Sequence, residues 1–264
     1  MTAFSKLFVG TVIFTLGALS ISGYAAKKAY EADPDILHKI GSQAEKRGFQ
    51  VHFGSFDSRP HEAYERTEGT WNFKSPSELS VTTVSGDVTI EGISGDEVLV
   101  TASGELDRSQ ADQLVTAVFE GKGLSLREPD NNAVKDLKLK IQVPSTFKGP
   151  LKITTVSGNL IVERVESSKL TIVSVSGDVL AKDVSIPEIS VGSVNGEVRV
   201  ENLIGGNIHV TSVSGDVLLR IVDGDKSNIN PSTISGDVQS RYAMGQHGKY
   251  LIEVNTTSGD IVIE

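Results

Sequence analysis

From residue 79 onward aliphatic and polar residues alternate, and the alternation is broken at intervals by Ser-Gly-Asp or a close variant. Seven and five residues before the glycine of successive breaks lie Leu151/Ile153, Leu170/Ile172, Ile189/Val191, Ile208/Val210 and Ile252/Val254. Two residues after it lie Leu160, Val179, Val198, Val217, Val238 and Ile261, and seven after it Val165, Val184, Leu203 and Val222. Side chains along a strand point to opposite faces in turn, so each set shares one face of its strand.

The glycines are Gly86, Gly158, Gly177, Gly196, Gly215, Gly236 and Gly259, and from Gly158 the spacings run 19, 19, 19, 21 and 23. A fixed period of this size marks stacked structural repeats, each of which buries its apolar face only against its neighbours. The pattern predicts an all-β chain folded as a parallel β-solenoid of about 19-residue coils, like residues stacking on like at about 4.8 Å.

The Ser-Gly-Asp triplet is predicted to be a corner. Glycine tolerates a backbone closed to other residues, while Ser and Asp hold the bend through local hydrogen bonds. Three residues before each glycine stands Thr83, Thr155, Ser174, Ser193, Ser212, Thr233 or Thr256. These hydroxyls are expected to form a column, each satisfying its neighbour. Asp87, Asp178, Asp216, Asp237 and Asp260, with Asn159 and Glu197 in register, form a second column. It reads either as corner chemistry or, at Asp178, Asp216, Asp237 and Asp260, as a cation ladder suited to calcium. Asp223 to Ser227 also resembles the opening of a calcium loop. It has Asn228 where that loop needs glycine and Ile234 where it needs glutamate.

Outside the repeat, Lys6 precedes an uncharged run from Leu7 to Ala26, followed by Lys27 and Lys28. About twenty such residues span a bilayer as a helix. Residues 1–28 therefore read as a membrane anchor, or as a signal peptide cleaved before Ala26. Residues 29–70 read as a stalk with a short helix opened by Asp33 and Pro34, ending in a polar linker. The β domain is expected over 71–264. An irregular insertion is expected at 97–148, with a helical turn at 109–114 and a hairpin across Gly121-Lys122-Gly123.

Charge narrows the function. A formal net charge of −9 disfavours nucleic acid and anionic lipid, which would repel the chain. There is no cysteine, so disulfides and thiolate metal sites are excluded. The sequence holds no Gly-x-Ser-x-Gly, phosphate loop or His-Glu-x-x-His, and its five histidines lack ligand spacing. No catalytic residue and no cofactor is expected. Residues 151–264 contain no Phe or Trp, which disfavours a sugar-binding cleft.

Leu151-Lys152-Ile153-Thr154-Thr155-Val156-Ser157-Gly158-Asn159-Leu160, preceded by Ile141-Gln142-Val143-Pro144, resembles a bacterial family of β-strand-repeat domains of unknown function. The family is counted among candidate adhesins and called the toastrack domain. The resemblance covers about residues 71–264, and Leu79 to Val100 resembles the family's opening segment. It implies a membrane-tethered protein of the cell envelope or its stress response, and no catalytic residue to carry over. The resulting expectation is a non-enzymatic scaffold held outside the membrane. It would associate end to end, or with a protein partner, through the coil end left open after Ile261-Val262-Ile263. The alternatives are an adhesin for external ligands and a carbohydrate-active enzyme on a β-helix.

Overall fold

The computed structural model describes residues 64–107, 111, 113–129, 133–203, 206–222, 224–245 and 247–264. The predicted anchor or signal at 1–28 and the stalk helix lie outside the described residues. Among the described residues no helix is long and apolar enough to cross a membrane.

Among the described residues the chain is all-β apart from one 3-10 turn at Gly224–Lys226. It opens with β1 (Glu65–Lys74), β2 (Glu78–Ser85), β3 (Asp87–Ile93), β4 (Glu97–Leu106), β5 (Thr116–Glu120), β6 (Gly123–Arg127) and β7 (Val134–Pro144). Paired strands follow: β8 (Leu151–Ser157) with β9 (Leu160–Glu163), β10 (Leu170–Ser176) with β11 (Val179–Lys182), and β12 (Glu188–Asn195) with β13 (Val198–Leu203). The last pairs are β14 (Asn207–Ser214) with β15 (Val217–Ile221), β16 (Ser227–Ser235) with β17 (Val238–Ser240), and β18 (Tyr250–Ser258) with β19 (Ile261–Ile263). The first sheet runs β1-β4-β7-β3-β9-β11-β13-β15-β19-β17 and the second β16-β18-β14-β12-β10-β8-β2-β6-β5.

The pairs stack in parallel and in register. Leu151, Leu170, Ile189 and Ile208 form one rung column in the second sheet, and Leu160, Val179, Val198 and Val217 form one in the first. Their side chains meet between the sheets. In the coil that starts at β10, Leu170, Ile172, Val179, Ala181, Val184 and Ile186 are each at most 1% exposed. Each large aliphatic buried this way contributes roughly 1.5–3 kcal/mol.

Three features differ from the expectation. First, the sheets are mixed, because β4 runs antiparallel to both β1 and β7, and β5 antiparallel to β6. The turn at Ser94-Gly95-Asp96 sends the chain back as β4 instead of round a third side. Second, residues 97–148 do not interrupt the stack. The hairpin predicted across Gly121-Lys122-Gly123 is β5–β6, and β6 pairs in parallel with β2 while β7 pairs in parallel with β3, so both sheets are extended. Of the helical turn expected at 109–114, residues 109, 110 and 112 lie outside the described residues, and Leu114 is buried in the core. β1 starts at Glu65, inside the segment predicted as linker, and lays Trp71 and Phe73 against the core.

Third, the coils do not stack in chain order. β19 lies between β15 and β17, and β18 between β14 and β16. The strand Ile261–Ile263, expected to be an open end, is therefore an interior strand. The stack ends at β16 and β17. That end is partly guarded: Pro231 stands on the edge strand, where a missing N–H is tolerated. The Gly245 N–H also donates to the Ile229 carbonyl at 3.0 Å. Return of the chain is secured by Tyr242, whose hydroxyl donates to the Ile221 carbonyl at 3.0 Å.

Candidate functional site

The seven glycine corners lie over one another. A Cβ placed on Gly177 would sit 2.1 Å from the Gly158 carbonyl oxygen, and one on Gly158 would sit 2.1 Å from that of Gly86. The contact continues from Gly196 to Gly177, Gly215 to Gly196, Gly259 to Gly215, and Gly236 to Gly259. At all seven φ lies between +116° and +154°, so backbone conformation and space both demand glycine.

Beside this column the acids serve the backbone. Asp87 Oδ1 accepts the Asn159 N–H at 2.9 Å, and Asn159 Oδ1 accepts that of Asp178 at 3.0 Å. Asp178 accepts from Glu197 at 2.9 Å, Asp216 from Asp260 at 2.8 Å, and Asp260 from Asp237 at 2.8 Å. Glu197, one methylene longer, instead holds the Arg199 guanidinium, whose Nη2 lies 2.7 and 2.8 Å from its two oxygens. Asp178, Asp216, Asp260 and Asp237 lie in one column in that spatial order, with Glu197 between Asp178 and Asp216. Among the described residues no group of three or more His, Asp or Glu is placed to hold a metal ion. Of the calcium-loop opening, Asp223 lies outside the described residues, Gly224–Lys226 form the 3-10 turn, and Ser227 begins β16.

The hydroxyl column behaves otherwise than expected. Thr83, Thr155, Ser174, Ser193, Ser212 and Thr256 are buried. Stacked rungs are about 4.8 Å apart, beyond hydrogen-bond reach. Thr155 and Ser193 instead donate to the carbonyls of Ser157 and Asn195, two residues ahead. Thr83, Ser174, Ser212 and Thr256 have no hydrogen-bond partner.

One buried acid went unnoticed in the sequence. β6 stops at Arg127, so the corner after β2 has β8 on one side but no strand on the other, and there Glu128 supplies the acceptors. Its Oε2 accepts the N–H groups of Val84 at 2.6 Å and Ser85 at 2.9 Å. Burial raises its pKa above the ordinary carboxylate value, and the two backbone N–H groups partly oppose that rise.

The outer faces of the two sheets differ. On the second sheet an open groove of about 470 Å³ is lined by Lys152, Lys169, Glu188, His209 and Glu253 among others. There His209 Nδ1 lies 3.1 Å from Glu253, and Nε2 lies 3.3 Å from the Thr211 hydroxyl. Acid, imidazole and hydroxyl follow the order of a nucleophilic relay. However, the hydroxyl is a hindered secondary one. The N–H groups around it lie in the plane of a strand paired on both sides, so none turns outward as an oxyanion donor.

On the first sheet the outward residues three after the seven glycines form a column in register: Thr89, Ile161, Leu180, Arg199, Leu218, Val262 and Gln239. Of these, Ile161, Leu180, Leu218 and Val262 are partly exposed and aliphatic where an outward position is ordinarily polar. Arg199 faces outward, as the alternation predicts. The exposed acid column flanks this row on one side. On the other lie Glu91, Glu163, Lys182, Glu201 and Arg220. Two of the acids there are bridged by Arg220, which lies 3.1 Å from both Glu201 and Glu264. Glu91 is hydrogen-bonded to Lys140 and Arg164, and those contacts lower its pKa. The aliphatic row was readable in the sequence, through one offset from the glycine that the inward columns do not use.

A family profile described as Toastrack DUF4097 matches residues 77–264. Comparison with curated proteins finds no match. Among solved structures, the chain is similar to a candidate cell adhesion protein from Clostridium sporogenes, with 16% identity, a TM-score of 0.47, and coverage of 75% of this chain and 99% of that one. It is also similar to a candidate adhesin from Bacteroides fragilis, with 9% identity, a TM-score of 0.36, and coverage of 76% and 97%. A third similarity is to a candidate lipid binding protein from Parabacteroides distasonis, with 16% identity, a TM-score of 0.34, and coverage of 75% and 96%.

Proposed function

Since the chain belongs to the Toastrack DUF4097 family, we propose that it is a non-catalytic interaction module of the cell envelope, whose contact surface is the outer face of the first sheet. The observation that carries this reading is the set of aliphatic residues Ile161, Leu180, Leu218 and Val262 at four of five successive in-register rungs, with Arg199 at the middle one. Apolar surface rimmed by charge marks a protein contact more often than a catalytic cleft. Stacked coils hold the row straight, since each strand is bonded on both sides. The uncharged run Leu7 to Ala26 supports attachment at a membrane.

The test is a photo-crosslinking residue at Leu218 in the full chain, in its native host, followed by envelope fractionation. The reading expects the chain in the membrane fraction and a discrete protein adduct at Leu218 that is missing from the same probe at Ser190. A chain found only in the cytoplasm, or equal adducts at both positions, overturns it. Labelling of the domain on intact cells would favour adhesion to external ligands.

A further inference from the structure

Building on the interaction reading, we infer that the partner of this face is a cationic amphipathic helix of another protein, lying across the strands with its apolar stripe on the aliphatic row. The row fixes the length. From Ile161 to Val262 there are four inter-strand steps, about 19 Å at about 4.8 Å each, which is the rise of a helix of about 13 residues.

The spacing favours a helix over a strand. A helix repeats its apolar stripe every 5.4 Å, close to the rung spacing, so successive turns meet successive rungs. An extended chain repeats a face only every 6.6–6.8 Å and falls out of step within a few residues.

The charge of the partner follows from the rim. Asp178, Asp216 and Asp260 run beside Leu180, Leu218 and Val262, with Asp237 one rung beyond, all exposed to solvent, and the backbone N–H groups of Glu197, Asp260 and Asp237 bond to Oδ1 of Asp178, Asp216 and Asp260. Arg199 in the row is held by Glu197, and on the opposite rim Arg220 is held by Glu201 and Glu264, while Lys182 stands between Glu163 and Glu201. Lysine or arginine on the flank of the helix would meet one carboxylate per turn, whereas an acidic helix or an anionic membrane would be repelled.

The experiment uses the full-length protein in detergent and two labelled synthetic helices, one with leucine stripe and lysine flanks, the other with glutamate replacing lysine, read by fluorescence anisotropy. The lysine helix is expected to bind at least about tenfold more tightly than the glutamate helix, and to weaken as salt rises. Leu180→Glu and Leu218→Glu should each weaken it at least about tenfold, and Ser190→Glu on the other sheet should not. Asp178→Asn with Asp216→Asn keeps the backbone acceptors and removes charge, so it should weaken binding with an unchanged thermal midpoint. Equal affinity for the two helices, indifference to the row variants, or preferential binding to phosphatidylglycerol vesicles overturns the inference. A Leu218 adduct with a partner lacking a basic helix would overturn it while leaving the interaction reading standing.

Discussion

The carboxylate of Asp178 accepts the backbone N–H of Glu197, its counterpart one coil on, at 2.9 Å. That bond shows how the corner works. The side chain of one coil supplies an acceptor for the backbone of the next, while the glycines beside it close the turn. Side chain, backbone conformation and stacking distance are satisfied together, and only when the coils are in register.

The glycine column sets the first expectation. Gly177→Ala meets the Gly158 carbonyl and a φ of +121°, and should destabilise the protein by roughly 2–4 kcal/mol in urea unfolding. Gly121→Asn should be close to neutral, because Gly121 has φ +65° and open space around it. Similar losses at the two sites would contradict the stacked-corner account.

The Asp178 bond predicts a distinction between amide and methyl. Asp178→Asn retains the acceptor, as Asn159 does in its own coil, and should stay within about 0.5 kcal/mol of wild type. Asp178→Ala should lose about 1 kcal/mol. With no three acids among the described residues placed to hold one ion, millimolar calcium should leave the thermal midpoint where it is. A calcium-dependent rise abolished by Asp178→Asn would restore the cation ladder.

Glu128 makes stability depend on pH. Its folded pKa is raised by burial, so the folded state holds the proton more tightly than the unfolded one. That contribution is fully present below the ordinary value of 4.5 and is lost as pH rises through the raised value. Relative to Glu128→Gln, wild type should therefore gain stability as pH falls from 7 toward about 4.5. A difference independent of pH would refute this. Glu128→Ala, which strands the Val84 and Ser85 N–H groups, should cost about 1–3 kcal/mol at pH 7, and more as pH falls toward about 4.5.

Removal of Tyr250–Glu264 should cost two coils. β16 and β17 bond only to β18 and β19, so deleting the last pair takes away their sheet partners. Amide exchange should show Ser227–Ser240 losing protection while β12 and β13 keep theirs. If β16 and β17 stayed protected, they would have restacked directly on β14 and β15.

Much of this was legible along the chain, for a local reason. Gly158 and Gly177 need the same backbone conformation, and Leu151 and Leu170 the same burial, so each copy repeats its residue types. What escaped were the exceptions at the ends. Glu128 acts where a strand is missing, and no repeat marks such a place. The row Ile161, Leu180, Leu218 and Val262 sits at a fixed offset that the alternation already turns outward, but its lining up across neighbouring strands needed the observed register.

The period alone determined the corners, the inward columns and the parallel stacking of the repeats, because those follow from backbone angles and burial within a single repeat. The order of the coils was decided only in three dimensions. β15 offers the same rung pattern to β19 as to β17, so local preference cannot choose between them. The choice falls to the whole packed end, where Tyr242 ties the returning chain to Ile221 and Gly245 covers Ile229.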